Sequence, residues 1–148
     1  MKKSDQSLCN ICISSIKRKT MKPYDFKWTQ FFDLDSNPEL LFQTFPIDFA
    51  EEELIICSTL IDPDHYSILT TRKLITKNNG IVESGSLINA KNKWYGEFKS
   101  KTELYTLDEV ELSTGKRLSY FVETGRASMI MIYGVRTFVF LSQDLISK

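Results

Sequence analysis

The chain has 148 residues, enough for one domain with a buried core, and its 42% hydrophobic and 26% charged residues are typical of a globular protein. No apolar run approaches the roughly 20 residues that a membrane span requires, and the N-terminus lacks a complete signal-peptide pattern. We therefore expect a cytoplasmic protein that does not span a membrane.

The formal net charge is zero, but the charges are unevenly distributed along the chain. Residues 1–27 hold seven basic and two acidic residues, a net charge of +5. Residues 28–65 hold nine acidic residues and no Lys or Arg, a net charge of −9, which leaves +4 for residues 66–148. This pattern favours a basic tail near an acidic face, with an acidic patch that docks a basic partner as the alternative.

The N-terminal third is predicted to be an extension packed on the rest of the domain. Residues 1–22 resemble a loosely held arm, and the segment Tyr24–Phe32 is rich in aromatic residues. A short helix is predicted over Pro38–Phe45, because Asn37 can cap it and Pro is tolerated at the first helical position.

A β-hairpin is the clearest local signal of the chain. Apolar and β-branched residues run over 66–77 and resume over 80–88, and the intervening Asn78-Asn79-Gly80 supplies the positive φ angles of a tight turn. Glu53–Ile61 is predicted to be the strand before this hairpin. Further strands are predicted at Lys93–Lys99, Glu103–Leu112 and Arg117–Glu123, with a turn over 89–92. The predicted core positions are Leu54, Ile56, Leu69, Leu74, Val110 and Val122.

The last segment, residues 126–141, fits either one helix or two strands. Its β-branched content favours strands, whereas its length favours a helix. We predict the helix, partly from the resemblance described next.

Three short stretches resemble successive strands of bacterial pleckstrin-homology-like (GRAM-like) domains: Glu53–Ile56, Tyr66–Ile75 and Thr106–Val110. In the second, a Leu-Thr pair is followed by basic residues and a Leu. The resemblance covers roughly residues 52–141. It implies an α+β fold with a strongly bent antiparallel sheet, a partly open barrel, closed at one end by a C-terminal helix. The predicted organisation is a single domain over 1–148, with a helical and aromatic extension (1–52) and a pleckstrin-homology-like core (53–148).

The resemblance also implies a class of ligand, since members of this family bind peptides, proteins or lipid headgroups. The N-terminal aromatic extension departs from the family pattern. The early strand loops also lack a dense basic cluster, which argues against binding of the phosphoinositide type.

Cysteine and histidine offer few catalytic or metal-binding arrangements. Cys9 and Cys12 form a C-x-x-C pair, but three cysteines do not suit a disulfide framework, and we interpret the spacing as chance. Cys57 and the single histidine, His65, could form a thiol–base pair, and His65 could join Asp62 and Asp64 at a metal. We favour structural roles for these residues and expect no metal and no cofactor.

Two polar groups remain as candidate sites. Asp108, Glu109 and Glu111 are interpreted as a solvated face. The basic and aromatic segment over 91–101 is the candidate partner-binding site, although a solvated hairpin is the favoured interpretation. Its candidate residues are Lys91, Lys93, Trp94, Tyr95, Lys99 and Lys101.

These observations favour a non-catalytic interaction module that binds a protein or peptide, such as a bacterial regulatory or immunity-type protein. The chain has one histidine and no glycine-rich phosphate-binding loop. Two alternatives remain: a small thiol hydrolase that uses Cys57 and His65, and a protein that binds lipid headgroups or single-stranded nucleic acid through 91–101, nucleic acid being the less favoured of the two.

Overall fold

The computed structural model describes residues 4–20, 26–32, 50–94 and 103–144. Within these ranges the fold is α+β, with two helices, a large antiparallel sheet and a small one. In chain order the elements are α1 (Asp5–Lys19), β1 (Thr29–Phe31), β2 (Ile55–Asp62), β3 (His65–Thr70), β4 (Leu74–Asn78), β5 (Ile81–Gly85), β6 (Lys91–Trp94), β7 (Tyr105–Glu111), β8 (Arg117–Glu123), a 3-10 turn (Gly125–Ala127) and α2 (Ser128–Asp144). Neither of the described helices is long and apolar enough to cross a membrane.

The N-terminal segment forms helix α1, so the prediction of a loosely held arm over 1–22 is wrong for the residues that the structure describes. Ser4 caps the helix by accepting a hydrogen bond from Ser7 N–H at 3.1 Å. Cys9 and Cys12 lie on the same helical face, three residues apart, and both are buried in the main core. Their spacing therefore reflects the apolar side of a helix.

The large sheet contains β1 to β5 in sequence order, and the small sheet contains β6 to β8. The predicted hairpin turn is confirmed, because Asn79 and Gly80 have φ angles of 53° and 80° and join β4 to β5. The C-terminal segment is a single helix, α2, as predicted.

The predicted strand over 66–77 is wrong in its continuity, since a turn at residues 71–73 divides it into β3 and β4. This turn has neither Gly nor Pro. It is held by Thr70 Oγ1, which accepts hydrogen bonds from the N–H groups of Arg72 and Lys73 at 3.1 and 3.0 Å. Asp5 of α1 then accepts hydrogen bonds from Thr71 Oγ1 and the Arg72 guanidinium. The turn therefore depends on a contact with a distant part of the chain.

The central strands of the large sheet are buried on both faces. One face packs against both helices and contributes to the main core a row of cross-strand neighbours. The row consists of Phe31, Cys57, Leu69 and Leu74, and it ends at Gly85. The opposite face holds a second apolar cluster of Phe32, Ile55, Tyr66, Ile68 and Ile75. Burial on both faces explains why the sequences of these strands are nearly continuous apolar runs.

Helix α2 approaches the large sheet closely at Gly134. A Cβ at this position would lie 2.8 Å from Cys57 Sγ and 3.2 Å from Leu69 Cδ2, too near for an ordinary contact. Glycine in a helix interior costs about 1 kcal/mol relative to alanine. The close helix–sheet packing that it permits is the physical reason for its presence here.

A row of hydroxyl groups lies where β8 crosses the large sheet. Thr29, Thr59, Ser67 and Thr76 are cross-strand neighbours, and each is at most 4% exposed. Thr29 Oγ1 donates to Glu123 of β8 at 2.8 Å, and Phe121 N–H of β8 donates to Ser67 Oγ at 2.8 Å. The two sheets are thus joined by hydrogen bonds from side chains to the crossing strand.

The predicted core is confirmed at five of its six positions, and the sixth, Leu54, is partly buried against that core. Asp108 corrects another prediction: it is only 1% exposed and shares the inner face of β7 with Val110, so it does not belong to a solvated face. Strand β6 begins at Lys91, inside the predicted turn over 89–92. The predicted helix Pro38–Phe45 and residues 95–99 of the predicted fourth strand lie outside the described residues.

Leu74→Ala should lower the free energy of unfolding by about 2–5 kcal/mol, because Leu74 is fully buried between the sheet and the helices. Chemical denaturation measures the difference. Val82→Ala, at a 55% exposed position, is the control and should change stability by less than about 0.5 kcal/mol. A loss at Leu74 as small as that of the control would contradict the core packing described above.

Ser67→Ala should destabilise the protein by about 1–3 kcal/mol, because it leaves the buried N–H of Phe121 without its acceptor. The matched control is Ser84→Ala at an exposed position of β5. Equal unfolding midpoints for the two variants would show that the hydroxyl row does not hold the sheets together.

Candidate functional site

The large sheet has two edge strands, β1 and β5, and they differ in their surroundings. Strand β1 is held by the carboxylate of Glu123, which accepts from Trp28 N–H at 2.9 Å and Thr29 Oγ1 at 2.8 Å, and Phe31 of β1 joins the main core. Strand β5 is exposed along Ile81, Val82, Glu83 and Ser84. No strand pairs with its outer side within the described ranges. We take β5 as the candidate functional site.

The side chains of β5 place apolar surface in solvent on both faces of the sheet. Ile81 and Val82 point to opposite faces, since neighbours in a strand alternate, and they are 66% and 55% exposed. Ile88, shortly after the strand, is 40% exposed. Isolated exposed apolar residues are common, but β-branched residues on both faces of an unpaired edge form a surface suited to another strand.

The backbone of β5 also offers hydrogen-bonding groups to the outside. Asn78 and Ile81 flank the two-residue turn and therefore exchange hydrogen bonds as a narrow pair. Because the pairing alternates, the N–H and C=O groups of Val82 and Ser84 point away from β4. The outer edge thus presents two donors and two acceptors at the spacing of an antiparallel or parallel strand.

The usual devices that protect an edge strand are largely missing from β5. It contains no Pro and no Lys, and its one charged residue, Glu83, is paired with Lys116 of the β7–β8 turn at 3.1 Å. The other end of the strand is closed on one face, since Leu112 packs directly on Gly85. The open part of the edge is therefore Ile81–Ser84.

Sequence reasoning identified β5 as a strand but missed its exposure. Its signal was present: Ile81 and Val82 are adjacent, and polar or glycine residues follow at 83–86, so no alternating pattern assigns one face to the core. Of the predicted partner-binding residues, only Lys91 has a described side chain, and it is exposed. Lys93 and Trp94 belong to the backbone of β6, while Tyr95, Lys99 and Lys101 lie outside the described residues.

The single histidine links two neighbouring turns. His65 Nδ1 lies 2.8 Å from Asp62 Oδ1, and Nε2 lies 3.0 Å from Asn79 Oδ1 in the β4–β5 turn. With an acceptor at each nitrogen, the protonated ring can donate to both, and the hydrogen bond to Asp62 is the main cause of its raised pKa. The hydrogen bond to His65 likewise lowers the pKa of Asp62. His65 thus helps to position the turn from which β5 starts.

The three cysteines are buried thiols in the main core. Burial raises the pKa of Cys9, raises that of Cys12 to about 12 and raises that of Cys57 well above its ordinary value. Cys57 Sγ donates a weak hydrogen bond to Ile130 O at 3.9 Å, whereas both nitrogens of His65 face Asp62 and Asn79. The thiol and imidazole of the hydrolase hypothesis are not brought together.

The described residues contain no group of three or more His, Cys, Asp or Glu side chains arranged to hold a metal ion. Asp62 and His65 are in contact, but their contact is the hydrogen bond described above. Comparison with protein-family models, with curated proteins and with solved structures finds no significant match to this chain.

The pKa of His65 should lie above its ordinary value of 6.5, and NMR titration of this single histidine measures it directly. Asp62→Asn should lower the midpoint because it removes the main cause of the shift. A raised folded-state pKa adds stability that is fully present below the unfolded-state pKa and is lost as the pH rises through the folded-state value. The stability difference between wild type and Asp62→Asn should therefore shrink above that pH.

Asn79→Gly is a second variant for this titration, since glycine tolerates the positive φ of Asn79 and removes only its side-chain acceptor. It should also lower the midpoint. A wild-type midpoint at or below 6.5, or one that neither substitution changes, would contradict the link between the two turns.

Proposed function

We propose that this protein is a non-catalytic interaction module that binds an extended segment of a partner protein by strand addition at the outer edge of β5. The observation that carries the proposal is the combination of exposed Ile81 and Val82 with the outward backbone groups of Val82 and Ser84. Strand addition uses both features, because backbone hydrogen bonds supply affinity and flanking side chains supply selectivity.

The chemistry of β5 also defines the partner segment. A strand placed beside Ile81–Ser84 would lie next to Ile81 and Glu83 on one face and next to Val82 and Ser84 on the other. β-Branched or aromatic residues opposite Ile81 and Val82 would pack favourably, at about 0.2–1 kcal/mol for each cross-strand pair. The partner is therefore an extended segment of about five residues, apolar at successive positions and without proline at its bonded positions.

The order of elements supports a pleckstrin-homology-like fold as part of this proposal. Strands β2 to β5 are four consecutive antiparallel strands, β6 to β8 are three more, and α2 follows them. The resemblance implies antiparallel strands followed by a C-terminal helix, and the described elements have that order, with α1 and β1 added by the N-terminal extension. The described strands form two separate sheets and not one closed sheet. We therefore propose a fold related to the partly open barrel of pleckstrin-homology-like domains. We also propose that the protein is a bacterial regulatory or immunity-type protein.

Random-peptide phage display on the purified protein tests the proposed function. We expect enrichment of peptides with a short β-branched or aromatic run, and loss of their binding in Ser84→Pro. Proline removes the outward N–H of Ser84 without removing a bond to β4, and edge strands tolerate it there. Binding should weaken by about tenfold or more, which corresponds to the loss of about 1.4 kcal/mol.

Ser84→Ala is the matched control, because it changes the same side chain and keeps the N–H group. It should bind the selected peptides like the wild type, and circular dichroism should show that both variants are folded. Peptides that bind the Pro and Ala variants equally well would contradict strand addition at β5, as would a selection that yields no enriched sequence.

A further inference from the structure

A second surface, on the opposite side of the large sheet from β5, concentrates positive charge. We name it the basic band and define it by Lys19, Lys27 and Arg136. No salt bridge joins the side chain of any of these three to a carboxylate among the described residues, whereas Arg72, Lys73, Lys77, Lys116 and Arg117 all have one. Within the described ranges, the band therefore carries charge that no ion pair neutralises.

The band lies where α1 crosses α2 and continues past the β1 edge. Lys19 and Arg136 both lie over the ring of Tyr133, at 5.4 and 5.7 Å from its centroid. Lys27 lies over Trp28 at 4.7 Å, and Arg126 of the 3-10 turn before α2 lies over the neighbouring Phe26 ring. Lys17 over Phe31 connects α1 with β1 along the same side.

The aromatic rings hold these cations in place and leave their charge available. A cation over a ring face is attracted by the ring quadrupole without the neutralisation that a carboxylate would bring. A guanidinium can bind a planar anion through its N–H groups while it also contacts an aromatic ring. Lys19 and Arg136 both lie over Tyr133, so this ring brings two cations together where α1 meets α2.

We propose that the basic band binds a short acidic segment of a partner protein. Complementary charge is the first argument, since several local cations without carboxylate partners favour a segment of Asp and Glu. The second is Phe140, which lies one helical turn beyond Arg136 and is 65% exposed. Phe140 offers an apolar contact beside the cations, as a peptide side chain could use.

Two observations favour a short acidic segment over a nucleic acid or an anionic membrane. The rings of Tyr133 and Trp28 each have a face against one of the chain's own cations, which leaves less ring surface for stacked bases. The whole chain has a formal net charge of zero and a pI of about 6.6, so a long polyanion gains no overall attraction from it. A short acidic segment interacts mainly with the charges within a Debye length of about 8–10 Å.

Fluorescence anisotropy with a labelled twelve-residue probe tests the inference, the probe being rich in Glu with a central Phe. The full chain should bind it at low salt, and the affinity should fall as salt rises. In the double variant Lys19→Glu/Arg136→Glu the dissociation constant should increase by about tenfold or more. A probe with Gln in place of Glu should not bind.

The matched control is Lys116→Glu/Arg117→Glu, which changes the net charge equally at exposed positions in the β7–β8 turn and at the start of β8. It should bind the acidic probe with nearly the wild-type affinity, and thermal unfolding should show that both double variants are folded. Equal losses in the two double variants would overturn the proposal, because net charge alone would then explain binding. No binding by wild type at low salt would also overturn it.

Binding of oligo(dT) and of anionic phospholipid vesicles to the wild type and to the same variants tests the two other classes of ligand. One of these probes could bind the wild type more tightly than the acidic probe does and lose its binding in the Lys19→Glu/Arg136→Glu variant. The basic band would then bind phosphate groups, and the acidic-segment proposal would fail. The inference stands apart from strand addition at β5, since Ser84→Pro should leave binding of the acidic probe unchanged.

Discussion

The arrangement of this protein depends on the hydrogen bonds between the hydroxyl row of the large sheet and strand β8. The row is buried, so each hydroxyl needs a partner within the protein. Because Thr29 donates its single hydroxyl proton to Glu123, the shared hydrogen bond with Thr59 must be donated by Thr59. These hydrogen bonds orient the small sheet on the large one. An apolar residue in place of one of the hydroxyl residues would remove both the stabilisation and the directional constraint that its hydrogen bond provides.

The same crossing explains why the two edges of the large sheet differ. Glu123 holds the backbone of Lys27 and Trp28, so the β1 edge is tied to β8 and lies beside the helices. At the far edge, Leu112 and Lys116 contact β5 near Gly85 and Glu83, and Ile81–Ser84 is left open. One edge thus belongs to the N-terminal extension and contacts β8, whereas the other has no strand partner in the part of the chain that the structure describes.

The two proposed surfaces would act through different interactions. The proposed strand addition at β5 would use backbone hydrogen bonds and apolar contacts, which depend only weakly on ionic strength. The proposed binding of an acidic segment at the basic band would use cations that lie over aromatic rings, and it would weaken strongly as salt rises. A partner that contacts both would gain specificity from their separation on opposite sides of the sheet.

The failed predictions share one cause, which is contact with residues distant in sequence. Thr71-Arg72-Lys73 has no turn-forming residue, and the turn there is held by Thr70 and by Asp5 of α1, 66 positions from Thr71. Asp108 stands in a charged stretch yet lies on the inner face of its strand.

The sequence by itself determined the features that local physics controls. Asn79-Gly80 required a tight turn because both adopt positive φ, and the apolar rhythm of β7 and β8 located both strands and their core residues. The tertiary structure alone decided which strand became the open edge, which hydroxyls met β8 and which cations lay over rings instead of beside carboxylates. Those outcomes depend on what packs against each residue, and one chain segment does not contain that information.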